Sequence, residues 1–402
     1  MTSIGDCAFE NCSGLTSVVL PNSVSNVGYE SFGDCANLRL VRLPLTFACN
    51  RYAFTGCSSI EVVEVPGRYN LYDLFPDAHD IKTVIIKDGE TDMSADVGHY
   101  FVSESDYYCH AYVCRTNLTA IAIPNSVTNI GSSLTGCIGL RKITLPRNLK
   151  GWVSFAGCSS LEEIDIPEGV EGLPNSAFDG CACLKSLSLP KSLISIGDSV
   201  FYGCRSIGSI TVAEDNPNFS VKDGCLVNKA GTRLFVMPIS YGAVTIPDGI
   251  ATCEWYSFGC CEGMTSLSIP DSLTTISPSQ FNSCTNLAAF VVSDTHPTYS
   301  TIDGVLMSKD GSSIMAIPAR ARRVTIPDGM TVNASTFNAY SELASIVVSD
   351  ANPNYKFQSG LLLSKAGSSI VAIPKGATSI TIPGFVTNID STLLPDADTW
   401  RS

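Results

Sequence analysis

An aromatic residue followed three positions later by cysteine recurs along this chain at nearly constant spacing. The pairs are Phe9/Cys12, Phe32/Cys35, Phe54/Cys57, Phe155/Cys158, Phe178/Cys181, Phe201/Cys204, Phe258/Cys261 and Phe281/Cys284, with Leu134/Cys137 as a leucine variant. Successive cysteines of this set are mostly 21 to 23 residues apart, so the fold must be assembled from repeating units. A globular chain of 402 residues would divide into two or three domains. Stacked repeats instead share one continuous core, whose size has no such limit.

The unit reads most clearly from Leu15, with apolar residues following at Val18, Leu20, Val24, Val27, Phe32 and Cys35 before Leu38 opens the next copy. The offsets from the first residue are 3, 5, 9, 12, 17 and 20, and the copies from Leu184 and Tyr241 repeat them. Alternation at offsets 3 and 5 predicts a short strand with one buried face. Proline at offset 6, as in Pro21, Pro124, Pro146, Pro190, Pro247 and Pro327, has no N–H to donate and ends the ladder there. A polar turn follows, and the Phe-x-x-Cys stretch is long enough for a single helical or 3₁₀ turn. No unit can bury its apolar side alone, so the phenylalanines must form the bulk of a shared core.

The period breaks in two ways. Asn216-Pro217-Asn218-Phe219, His296-Pro297-Thr298-Tyr299 and Asn352-Pro353-Asn354-Tyr355 each precede Asp-Gly or Ser-Gly, an apolar run, Lys-x-Gly and a second apolar run ending in proline. Two short strands around a glycine loop predict a β-hairpin in each case. The other break, residues 67–117, lacks Phe-x-x-Cys and is polar and aromatic; it reads as one expanded repeat whose register returns at Tyr112. The expected organisation is thus 1–66 of regular repeats starting in mid-repeat, the irregular segment 67–117, regular repeats over 118–215, and repeats with three hairpins over 216–402, all in one solenoid. Met1 to Gly5 has neither a basic stretch nor an apolar run, so no signal peptide is expected there.

The net charge of −13, with no cluster of Lys and Arg, argues against nucleic acid as a partner. No apolar run is long enough to insert in a membrane. Seventeen cysteines cannot all pair internally. Those locked to the repeat are read as compact buried thiols, because parallel rungs orient side chains poorly for bridging; Cys109 and Cys114 are the candidate disulfide. His79, His99 and His110 share the irregular segment with several aspartates and Cys109, yet no spacing there fixes a metal geometry, and the segment is read as a solvated loop. No nucleophile motif or phosphate loop occurs. No enzymatic activity, metal or cofactor is expected.

The unit L-x-x-V-x-L-P-x-x-V-x-x-V-G-x-x-x-F-x-x-C-x-x-L, clearest over Leu15–Leu38 and Leu184–Ile207, resembles the BspA-like leucine-rich repeats, and the Asn-Pro-Asn-Phe insertions resemble those of the same family. The resemblance implies a leucine-rich-repeat solenoid: a β-rich right-handed superhelix with short strands on the concave side and short helical or 3₁₀ turns on the convex side. It also implies a non-catalytic binding or adhesion scaffold, displayed on the cell surface or secreted, with a host, matrix or surface protein as partner. The competing readings are an intracellular protein-interaction scaffold and, more distantly, a metal or enzymatic site in residues 67–117. Exposed strand positions at offsets 2 and 4 carry no aromatic, which argues against a stacking track for polysaccharide on the concave face. Charge at these positions is expected only in the N-terminal half, so the candidate protein contacts are Arg42, Glu64, Lys142, Glu163 and Asp165, joined by Tyr107, Tyr108 and His110 of the irregular segment.

Overall fold

The computed structural model describes residues 1–50, 52–93, 117–332, 336–337, 340–377 and 379–387, and the backbone alone of 99–101 and 112–114. It comprises two compact units, Met1–Lys229 and Ala230–Ser402. Each is a β-solenoid of stacked turns.

In the first unit the predicted strands form parallel ladders. Ser17–Val19, Leu40–Arg42, Val62–Val65, Thr83–Ile86 and Ala120–Ala122 make one sheet, and Glu163–Asp165, Ser186–Leu189 and Ser209–Val212 make another. Offset 3 is in register throughout: Val18, Val41, Val63, Val84 and Ile121 pair in turn, as do Ile164, Leu187 and Ile210. These residues are buried, whereas Ser17, Val19, Glu163 and Asp165 beside them are exposed.

A second parallel ladder, absent from the sequence reading, lies at offsets 11 and 12. It joins Ser3–Ile4, Asn26–Val27 and Ala48–Cys49, and further on Gly151–Trp152, Val170–Leu173 and Ser195–Ile196. The rungs from Leu15, Leu38, Leu161 and Leu184 therefore have two short strands each, held by backbone bonds to the neighbouring turns.

The Phe-x-x-Cys stretch is a run of tight turns, where a helical turn was expected; the 3₁₀ helix Pro278–Phe281 is the exception among described residues. The reason is the residue before cysteine. Gly56, Gly136, Gly157, Gly180 and Gly203 have φ of 72–75° (74, 74, 75, 72 and 74°), and Asn11 and Asp34 take the same left-handed region, which terminates a helical turn as soon as it starts. The glycines also stack closely: a Cβ on Gly203 would lie 3.3 Å from the Gly180 Cα.

Inside the turn, the phenylalanine rings form columns. Phe155 and Phe178 are 5.5 Å apart and Phe178 and Phe201 6.0 Å apart, nearly parallel. The cysteines do more than fill space. The thiols of Cys35, Cys57, Cys158, Cys181 and Cys204 each donate to the carbonyl of the aromatic or leucine one turn back, at 3.1–3.2 Å (Phe9, Phe32, Leu134, Phe155 and Phe178). A small side chain with one weak donor suits this position better than alanine or serine would.

Residues 67–93 continue the stack. Phe75, after a one-turn helix Leu71–Leu74 capped by Asn70, packs on Phe54, and Thr83–Ile86 pairs with both Val62–Val65 and Ala120–Ala122. The expansion therefore falls between Met93 and Asn117. Within it Tyr112–Cys114 pairs antiparallel with His99–Phe101, so Tyr112 lies on a strand and does not restore the Phe-type turn.

The second unit carries parallel strands Gly242–Thr245, Met264–Ile269 and Ala289–Val292, then Arg323–Ile326 and Ser345–Val348. Tyr241, at a position expected to be core, is exposed, its ring lying across Gly263. The two hairpin insertions within the second unit each have one more strand than expected. Tyr299–Ile302, Val305–Ser308 and Ile314–Ala316 form a three-stranded antiparallel sheet, as do Tyr355–Gln358, Leu361–Ser364 and Ile370–Ala372. Phe219–Lys222 and Cys225–Asn228 form the corresponding hairpin of the first unit. The first turn of each insertion, at Asp223-Gly224, Asp303-Gly304 and Ser359-Gly360, has positive φ at both residues, the type I′ geometry that matches strand twist. Buried Asn216, His296 and Asn352 anchor the insertions. Asn216 and Asn352 accept from the backbone N–H groups two and three residues on, and their amide nitrogens donate to carbonyls of the preceding turn. His296 does the same through its two ring nitrogens, with Nε2 facing the Pro270 carbonyl.

Candidate binding face

The exposed strand face is where the candidate contacts fall, and the structure resolves them into cross-rung ion pairs. Arg42 and Glu64 occupy opposed positions on adjacent strands and pair at 3.2 Å, with Lys87 reaching Glu64 at 3.3 Å from the next rung. Lys142 and Glu163, opposed across an isolated bridge, also pair. Asp165 is exposed on the same strand as Glu163 and faces Ser188 across the ladder. The two groups lie on different rungs and do not converge. Tyr107, Tyr108, His110 and Cys109 lie outside the described residues, as does the side chain of Cys114.

A further row of charge, missed in the sequence, runs at offset 1. Glu61 is held by Arg39 at 3.8 Å and Lys82 at 3.0 Å; Glu162 is held by Arg141 at 3.5 Å and Lys185 at 2.6 Å. Lys185 and Arg141 pull the Glu162 carboxyl below its usual range, and Glu162 pushes the Lys185 ammonium up. The signal was in the sequence as base, acid, base at the same offset in three successive repeats. A shallow groove of about 480 Å³ opens here, lined by Arg141, Lys142, Glu162, Glu163, Lys185 and Ser186.

Charge on the strand face is not confined to the N-terminal half. In the second unit Arg323, at offset 2, pairs with Asp303 at 3.4 Å, and Thr325 donates to the same carboxylate. Asp303 is the tip of a hairpin insertion. That tip docks beside the strand Ala289–Val292, where the Phe290 N–H donates to the Gly304 carbonyl at 2.8 Å. This insertion thus feeds its turn into the strand face, a placement that sequence spacing does not reveal.

No disulfide joins the fifteen cysteines described, the repeat-locked set among them. Burial pushes the pKa of Cys57, Cys204 and Cys284 up to about 12, which disfavours the reactive thiolate. Among the described residues, Cys7, Glu10 and Glu30 bring three metal-ligating atoms within 4.8 Å of one another. The Glu10 carboxylate, bonded to the Cys7 thiol, raises that thiol's pKa, with burial and the charges of Glu30 and Asp6 adding to the effect. This favours the protonated thiol, a poor ligand.

Two faces of short parallel strands, a Phe/Cys core and a turn of 21 to 23 residues define a leucine-rich-repeat solenoid. The chain belongs to the BspA-type leucine-rich-repeat family, whose repeat model matches six copies over residues 1–97, 106–228 and 227–303. No curated protein matches it. Among solved structures it is similar to a leucine-rich-repeat protein from Bacteroides ovatus, at 19% identity over 86% of this chain and 76% of that one, with a TM-score of 0.42. It is also similar to a leucine-rich cell surface protein from Faecalibacterium prausnitzii, at 22% identity over 73% and 83%, with a TM-score of 0.33. No helix among the described residues is long and apolar enough to cross a membrane.

Proposed function

We propose that the chain is a non-catalytic protein-binding scaffold, displayed on a cell surface or secreted, that contacts its partner through the strand face. The observation that carries this reading is the regular display of exposed side chains at offsets 2 and 4, from a backbone whose N–H and C=O groups are taken up by neighbouring rungs. Such a face is rigid before binding, so little conformational entropy is lost on association. Surface display and adhesion are what membership of the family suggests. Photo-crosslinking tests the contact face: a crosslinker at Ser188 or Ser268 should capture the partner, and one at Tyr202, on the turns, should not. Capture from Tyr202 alone would refute the assignment.

An intracellular scaffold is the second reading, favoured by a cysteine-rich core whose repeat-locked thiols are packed inside without bridging, since disulfides accumulate in oxidising compartments. Protease shaving of intact cells of the source organism separates the two: release of strand-face peptides supports display, and protection supports the intracellular scaffold.

A further inference from the structure

The row of charge at offset 1 points to the chemistry of the partner. Along the first unit this row reads Arg39, Glu61, Lys82, Thr119, then Arg141, Glu162, Lys185. It is a true column. The backbone N–H of Glu61 donates to the Arg39 carbonyl, Lys82 to Glu61, Thr119 to Lys82, Glu162 to Arg141 and Lys185 to Glu162. Four bases face two carboxylates, a local positive excess on a chain whose net charge is −13. Each carboxylate is claimed twice, tightly by lysine and loosely by arginine. Arg39 and Arg141 reach their glutamates at only 3.8 and 3.5 Å, and their side chains are 69% and 79% exposed. A guanidinium has five donors in a planar fork, so most of the hydrogen-bonding capacity of both arginines points to solvent.

We propose that the segment of the partner lying on this face is acidic: an extended peptide running across the rungs, whose carboxylates meet the bases of the column. The proposal rests on the reading of the strand face as a protein-binding surface. Rungs in a parallel ladder are about 4.8 Å apart, so bases on alternate rungs are roughly 9.6 Å apart, and an extended peptide covers about that distance in three residues. The fitting segment therefore carries Asp or Glu at about every third position. Neighbouring groups reduce the excess without cancelling it: Lys142 pairs with Glu163, Arg42 and Lys87 pair with Glu64, and Asp80 and Asp165 are the further carboxylates beside these rungs, so one positive charge remains in excess. The lysines hold the two carboxylates at the shorter distances and the arginines remain to bind, which is the division expected where planar carboxylate recognition matters.

The test uses the full chain and three immobilised probes: a peptide of repeated Asp-Gly-Ser, its Lys-Gly-Ser counterpart, and heparin as a sulfated glycan. The acidic peptide should bind, more weakly as salt rises. R39Q/R141Q should weaken it about tenfold, the size expected of two exposed ion pairs. E61Q/E162Q, which releases the bases, should tighten it several-fold, a gain that mere structural support by the ion pairs would not give. Circular dichroism checks that each variant folds. Preference for the lysine peptide, indifference to R39Q/R141Q, or no gain from E61Q/E162Q would overturn the proposal. So would column-dependent binding of heparin without binding of the acidic peptide. A natural partner crosslinked to this face through a basic or neutral segment would overturn the proposal and leave the protein-binding reading standing. Capture only from the turns would remove the reading itself.

Discussion

Replacing Phe178 by alanine tests whether the ring column holds the first unit together. The side chain is fully buried, with Phe155 on one side at 5.5 Å and Phe201 on the other at 6.0 Å. Truncating a buried phenylalanine costs about 3–5 kcal/mol. The upper part of that range applies here, because rungs tied by two ladders cannot close around the void. Phe9 offers an internal comparison: it is 42% exposed and has a ring partner on one side only, Phe32 at 5.2 Å. With much of its apolar area already in water, its truncation should cost under about 2 kcal/mol. F178L should fall near 1 kcal/mol, within the range for hydrophobic swaps, since Leu134 fills the same position and is fully buried. Urea unfolding followed by far-ultraviolet circular dichroism gives the three values. Because repeat arrays need not unfold in two states, hydrogen exchange across residues 151–212 should localise the loss to the rungs on either side. Equal costs for F178A and F9A would refute the column as the main source of cohesion.

Three further outcomes follow from the same geometry. Alkylation of the native protein should label exposed Cys183 rapidly and leave Cys57, Cys204 and Cys284 unlabelled until unfolding, as burial disfavours their thiolates; peptide mass spectrometry reads the order. H296N should be tolerated within about 0.5 kcal/mol, because Asn216 and Asn352 make the same contacts, whereas H296A strands buried backbone groups and should cost roughly 2–3 kcal/mol. G304A should cost at least about 2 kcal/mol in thermal unfolding, since the left-handed conformation alone costs 1–2 kcal/mol for a residue with a side chain. The new Cβ would also lie 2.8 Å from that of Ala289.

The main strand and the buried set were legible because both repeat a periodic apolar pattern. The second ladder was not. Its strands are often two residues long, such as Ser3–Ile4 and Asn26–Val27, and a polar–apolar pair at that length is indistinguishable from a turn; only stacking on the neighbouring rungs makes it a strand. The turn geometry was within reach, since glycine, asparagine or aspartate before cysteine is the mark of a left-handed residue. Phe-x-x-Cys alone hides it. At the candidate face, opposite charges at Arg42/Glu64 and Lys142/Glu163 were visible as exposed positions, but their mutual neutralisation depends on register, which spacing fixes only once the rungs are known to be parallel. Arg323 escaped because the hairpin before it interrupts the repeat, and its partner Asp303 reaches the face only through the fold of that hairpin.

The arrangement separates what holds the solenoid together from what it shows. Core positions repeat one chemistry: apolar strand residues, a stacked ring and a thiol bonded to the previous turn. Exposed offsets change from rung to rung, from Arg42 and Glu64 through Ala120 and Ala122 to Ser186 and Ser188. Cross-rung ion pairs at these offsets are solvent-facing, so each adds at most about 1 kcal/mol to stability. Losing one therefore leaves the fold almost untouched while altering the charge offered to a partner. That asymmetry is why E61Q/E162Q is informative: the same substitution that barely changes stability should change affinity for an acidic segment. If it instead destabilised the unit by several kcal/mol, the column would have to be reassigned from recognition to support.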